Sequence, residues 1–263
     1  MITPPASALR RAAFGDDPGR WPLPSAGDTQ GRWLRAVAAG GQGRYGAALA
    51  DLAVVCRSPS APLVSLAHST RASFLRQLGG HADARHWDGR ALVLAGGDPE
   101  ARADALTGLA ADALGTGRFA LSARLLNQVR TEADAAASAR PLIRLGWVSA
   151  ELAMARGDGD AAVDHARRAV AAAAPFGSTR HAVKSKVILA AALCSAGGVD
   201  DARPVADAAL ADADAAGLIP LQWALACLLA DIGSATLTAE RVAAVRDRSA
   251  DIVQHRGGVW SDR

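Results

Sequence analysis

The chain has 263 residues, is 50% apolar and only 4% aromatic, and carries a formal net charge of +3. That composition places it among ordered, soluble chains, and its mild, interspersed charge argues against nucleic acid, which selects a clustered basic face or stripe. Three scattered cysteines, Cys56, Cys194 and Cys227, form no CxxC pair and point to a reducing compartment, not a disulfide frame.

The start, Met1-Ile2-Thr3-Pro4-Pro5, has no apolar run of the secretory kind. The most apolar stretch, Leu218 to Ile232, is too short to span a bilayer. A cytoplasmic protein without a membrane partner is the expectation. Residues 1–27 gather Pro4, Pro5, Pro18, Pro22 and Pro24 with Gly15, Gly19 and Gly27. That density opposes long helices, so the segment reads as a flexible or extended arm with one helical turn over Leu9–Phe14, with Trp21 and Leu23 as the residues that could lay it along the body.

From about Asp28 to residue 256 a period takes over. Turn glycines recur at Gly43, Gly79, Gly117, Gly157, Gly197 and Gly233, spaced 36, 38, 40, 40 and 36 residues apart. Seven residues before them stand Ala36, Ala72, Ala110, Ala150, Ala190 and Ala226. Five after come Ala48, Ala84, Ser122, Ala162, Ala202 and Thr238, and twelve after come Val55, Ala91, Val129, Ala169, Ala209 and Val245. A period in this range is the signature of stacked supersecondary units. Small residues seven apart share one helix face and let two helices approach closely. Glycine supplies the left-handed backbone that ends the first helix of each unit.

The predicted helix pairs are 29–41 with 45–57, 62–78 with 82–95, and 100–115 with 119–137. They continue with 140–156 and 159–174, 179–196 and 199–216, and 219–232 and 238–255. Pro59, Pro62, Pro99, Pro141, Pro175 and Pro220 fall between units, where the chain reverses. Gly257-Gly258 ends the last helix and leaves a tail over 257–263.

Stretches such as Leu106-x-x-Leu109-Ala110 followed by Gly117-Arg118-Phe119-x-x-Ser122 resemble the tetratricopeptide repeat family. Leu189-Ala190 with Gly197-Gly198-Val199-x-x-Ala202, and Gly43-Arg44-Tyr45-x-x-Ala48, carry the same likeness. It covers about residues 29–255, with a period above the family's usual ~34 residues and a displaced closing proline. The resemblance implies an all-α, right-handed superhelical solenoid of about six helix-turn-helix repeats, a long-period bacterial variant of the regulatory kind. First helices would line a concave groove.

Several local motifs dissolve into this frame. Gly41-Gln42-Gly43-Arg44-Tyr45-Gly46 matches G-x-G-x-x-G, but no strand precedes it and no carboxylate lies about twenty residues on. His81, Asp83, His86 and Asp88 suggest a metal site. On a helix, however, residues five apart diverge by about 140°, so the stretch reads as the solvated start of a helix. Arg156-Gly157-Asp158 is an inter-helix turn. No motif for nucleophilic catalysis accompanies any serine, cysteine or histidine, so the expectation is no enzyme, no catalytic residues, no metal and no cofactor.

Ten residues before the turn glycine, Trp33, Trp147 and Trp223 occupy equivalent places in units one, four and six. They either pack within their repeats or face the groove as rigid anchors. Arg76, Gln77, Arg144, Glu151 and Lys184 share groove-like offsets, and the cations among them suit a carboxylate or an acidic peptide. The leading functional expectation is a non-enzymatic scaffold that binds a segment of a protein or peptide partner in its groove. One alternative is a regulatory sensor for a small ligand or signalling peptide. The other is a self-assembling structural protein, a homodimer joined around Trp223 and Trp260.

Overall fold

The computed structural model describes residues 5–261; residues 1–4 of the expected arm and 262–263 of the tail lie outside them. Among the described residues there are thirteen α-helices and no strand. They run α1 (Pro5–Phe14), α2 (Thr29–Gly41), α3 (Tyr45–Val55), α4 (Ala61–Gln77), α5 (His81–Leu94), α6 (Pro99–Gly115) and α7 (Phe119–Ala135). After these come α8 (Arg140–Ala155), α9 (Gly159–Phe176), α10 (Thr179–Ser195), α11 (Val199–Ala215), α12 (Ile219–Ile232) and α13 (Ala239–His255). From α2 onward they pair consecutively, and each pair packs on the next, as in a helical-repeat solenoid.

The turn chemistry is uniform over five units. Gly43, Gly79, Gly117, Gly157 and Gly197 have φ between +72° and +91°. In each case the next amide reaches back to a carbonyl of the last helical turn: Arg44 to Ala39, Gly80 to Leu75, Arg118 to Ala113, Asp158 to Ala153 and Gly198 to Leu193. This is the Schellman closure, which satisfies carbonyls that a helix end leaves orphaned. At the other ends, Asp28, Asp98 and Asp158 accept from Gly31 N, Ala101 N and Ala161 N. Pro62, Pro99, Pro141 and Pro220 lie in the first turns of α4, α6, α8 and α12, not between units, because that position needs no amide donor. Pro175 is also helical, next to last in α9.

All six repeat alanines are fully buried, as are the small residues five after the glycine in units one to five. Unit six departs. Gly233 (φ 80°, ψ 155°) does not make the Schellman turn, and a loop follows in which Asp207 accepts from Ser234 Oγ and Ala235 N. Thr238 is thereby the exposed N-cap of α13, and the buried residues seven apart are Val242 and Ser249, each four positions beyond the expected Thr238 and Val245.

The expected flexible arm is a docked element over its described part. Ala8, Leu9, Ala12 and Ala13 of α1 are buried against α2 and α10. Pro5 opens the helix and Gly15 follows its end, so neither breaks it. Beyond α1, Thr179 N donates to Gly15 O at 3.1 Å. Gln42 Nε2 donates to Pro18 O (2.7 Å) and Arg20 O (2.9 Å), and the Arg44 guanidinium lies 3.7 Å from the Trp21 ring centroid.

The solenoid also returns on itself. Arg256 Nη1 donates to Gln42 O (2.8 Å) and Gly46 N donates to Arg256 O (2.9 Å), joining α13 to the first turn. Val253 is buried in the core of unit one, Trp260 packs against that core, and Ser261 N donates to Leu78 O. Arg180 Nη1 of α10 donates to Val37 O of α2 (3.2 Å). The concave face is therefore the inside of a closed ring. No helix is long and apolar enough to cross a membrane among the described residues.

Candidate ligand cavity

The ring surrounds a half-open cavity of about 560 Å³. Every first helix contributes to its wall: Val37 from α2, Ser73 and Arg76 from α4, Thr107 from α6, Trp147 from α8, Arg180 from α10 and Leu221 from α12. Phe14, at the end of α1, completes it. A solenoid produces such a wall automatically, because equivalent offsets of successive first helices point the same way.

Of the residues expected in the groove, Arg76, Gln77, Arg144, Trp147, Glu151 and Lys184 line this cavity. Trp33 and Trp223 do not. The ring of Phe14 covers Trp33 at 5.5 Å between centroids, and the Trp33 Nε1 donates to Thr70 Oγ1. Trp260 covers Trp223 at 4.4 Å. Three equivalent tryptophans thus have two fates. Those near the chain ends are covered by terminal segments, and only Trp147, in unit four, stays on the cavity. Its Nε1 donates to Ser185 Oγ (2.8 Å) and one face stacks on His181.

Charge is distributed unevenly around the wall. Between units two and three, Arg76 Nη1 bridges two fully buried carboxylates, Asp88 and Asp112. Asp88 belongs to the stretch expected to be solvated, but α5 turns it inward. Gly108 makes room for it, since a Cβ there would overlap the Asp88 carboxylate. Burial raises the Asp112 pKa to about 7, with the charge of Asp88 adding and Arg76 opposing. Burial likewise raises Asp88. This pair therefore keeps a proton into the neutral range.

Between units three and five, cations dominate. Glu100, Arg140 and Arg180 all stand seventeen residues before their turn glycines, and Asp104, Arg144 and Lys184 all stand thirteen before. Successive helices bring these rows into contact as a ladder. Arg140 pairs with Glu100 (2.9 Å) and with Asp104 (2.7 Å), and Arg144 pairs with Asp104. Burial works against the Asp104 charge, but the two guanidiniums outweigh it and hold its carboxyl below the ordinary range.

At the next rung the acids run out. Lys184 finds Glu151 at 3.6 Å, from another offset. Arg180 makes no ion pair among the described residues, and its one hydrogen bond there is to Val37 O. Burial, followed by the charges of Arg140 and Arg144, lowers its pKa to about 10, so it remains cationic at neutral pH. His181 beside it is pushed well below its ordinary value by burial and by Arg180, so it is neutral. Its Nδ1 lies 2.8 Å from Ser178 Oγ.

Sequence reasoning missed Phe14, Arg140, Arg180 and the buried Asp88, Asp104 and Asp112. A signal for the arginines existed in the shared offset of Glu100, Arg140 and Arg180. For the metal reading of His81 to Asp88, no group of three or more ligating side chains comes together among the described residues. No family model and no curated protein sequence matches this chain.

Proposed function

We propose that this chain is a non-enzymatic binding module whose ligand is a small molecule or short peptide held inside the ring. It would act as a sensor, not as an open scaffold for a long partner segment. The observation that carries this reading is ring closure. Contacts between residues 143 and 214 positions apart turn the groove into a cavity of about 560 Å³. Cavities of roughly 300–1,000 Å³ take compact ligands. The wall sets aromatic and aliphatic side chains such as Phe14, Phe74, Trp147 and Leu221 beside seven charged groups, which gives a ligand both an apolar surface and charged anchors.

The resemblance to tetratricopeptide repeats supports a regulatory role. A ligand inside the ring would bridge units that only the closed arrangement brings together, and would favour that arrangement in proportion to its differential affinity. The test is a heat-stability screen of the full chain against metabolites and short peptides, repeated on Ser73→Trp, which fills the cavity. The expected result is a ligand that raises the melting temperature of the parent and not of the filled variant. A flat result across a broad library overturns the reading.

A further inference from the structure

We infer that the cavity takes a small organic acid whose carboxylate is held by the guanidinium of Arg180, with its apolar body against the aromatic and aliphatic wall. This rests on the sensor reading above and names the ligand class for that site.

The argument starts from the ladder. Three guanidiniums, Arg140, Arg144 and Arg180, crowd one end of the cavity, and the two carboxylates on that ladder, Glu100 and Asp104, are spent on the first two. Arg180 is a partly buried cation facing two others, with a single backbone carbonyl as its partner. Partial burial removes much of the solvation such a charge enjoys in water, and among the described residues only the Val37 carbonyl and the Phe14 ring replace any of it. An arginine cannot shed its charge near neutral pH, so an anion bound in the cavity would supply the compensation that no described carboxylate gives.

The geometry selects the kind of anion. A guanidinium is a planar fork that matches a carboxylate through two parallel N–H···O bonds. Arg180 Nη1 is committed to Val37 O, and the side chain packs on Gly41, so the fork is held in place and not free to wander. Phe14 lies 5.8 Å from the Arg180 guanidinium, and Val37, Trp147, Pro220 and Leu221 share the cavity with it. Arg140 and Arg144 are matched by Glu100 and Asp104, and Lys184 by Glu151, so among the described residues Arg180 is the cation of this end left without a carboxylate, which suits a monoacid with an apolar tail.

Calorimetric titration of the full chain tests this, using phenylacetate and 3-phenylpropionate, their uncharged primary amides, and inorganic phosphate. The expected result is binding of the two acids, no binding of the amides or of phosphate, and weaker binding at higher salt. Arg180→Gln lowers affinity on the order of tenfold or more, and Arg180→Lys restores only part, since an ammonium keeps the charge without the fork. Circular dichroism and melting temperature confirm that both variants are folded.

Acids and amides that bind alike, affinity that survives Arg180→Gln, binding of phosphate alone, or no binding of either acid each overturn the inference. The underlying reading fails separately. If uncharged library compounds stabilise the parent and Ser73→Trp abolishes the effect, the cavity is a ligand site and only the Arg180 assignment is lost. If no compound of any charge is sensitive to Ser73→Trp, the cavity reading itself falls.

Discussion

Two charge clusters on the same wall solve opposite problems. Around Arg76 there are two buried carboxylates for one guanidinium, and around Arg140, Arg144 and Arg180 there are more guanidiniums than carboxylates. The acid-rich cluster corrects itself by holding a proton, because a carboxyl titrates within reach of neutral pH once buried. A base-rich cluster of arginines has no such remedy, since even the lowered pKa of Arg180 stays near 10. One imbalance is closed internally and is structural. The other has no carboxylate to close it among the described residues, which is the ground for the ligand we propose there. An excess of buried charge thus says little about function until one asks whether the group itself can neutralise.

Four substitutions break or sharpen this contrast. Arg76→Ala strands two buried carboxylates and should cost about 3–5 kcal/mol, as loss of one partner from a buried pair does. Urea unfolding at neutral pH measures it, and a loss below about 1 kcal/mol would mean that the cluster is hydrated and not structural. Gly108→Ala drives a methyl group into the Asp88 carboxylate, which Arg76 holds in place. The expected cost is about 1–3 kcal/mol, read as a fall in melting temperature that Asp88→Gly in the same chain partly relieves.

Asp112→Asn probes the proton. The unfolded chain releases it near pH ~4, whereas the folded chain keeps it to about pH 7. Between those values the folded state binds more protons, so this group's stabilisation is full below ~4 and is lost as pH rises through 7. The asparagine variant should therefore gain on the parent between pH 4 and 8, by at most about 4 kcal/mol, or ~1.4 per pH unit over the window. A parent-to-variant difference that is flat with pH would contradict proton retention. The smallest effect belongs to Arg180→Gln in the absence of ligand. Removing a cation that has no acidic partner should change stability by no more than about 0.5 kcal/mol, or raise it, in contrast to Arg76→Ala. Chemical denaturation of both variants side by side decides it.

Much of the fold was legible because the repeat writes the same local instruction again and again. An alanine seven before a glycine marks a close helix contact and a left-handed turn, and both depend only on neighbours in sequence. Unit six escaped because Asp207, 27 residues before Ser234, holds a loop that shifts α13 by four positions. The arm was legible in part: Leu9–Phe14 is helical and Trp21 and Leu23 meet the body, while the length and burial of α1 were hidden by proline and glycine content. Pro5 sits where a helix begins, and the apolar face of Ala8, Leu9 and Ala12 had an unfilled surface to cover on α2 and α10.

The candidate site was legible by offset but not by occupancy. Arg76, Arg144, Trp147 and Lys184 reach the cavity because the helical period sends them inward. Trp33 and Trp223 share Trp147's offset and yet are covered, by Phe14 and Trp260 from the two ends of the chain. Helices, turns and repeat register follow from short-range sterics and hydrogen bonding, and so can be read from residues a few positions apart. Ring closure, the charge imbalance and the cavity arise from contacts between residues as far as 214 positions apart. Such contacts leave no local pattern, and only the packed chain brings Arg180 to a place where no carboxylate of the described residues meets it.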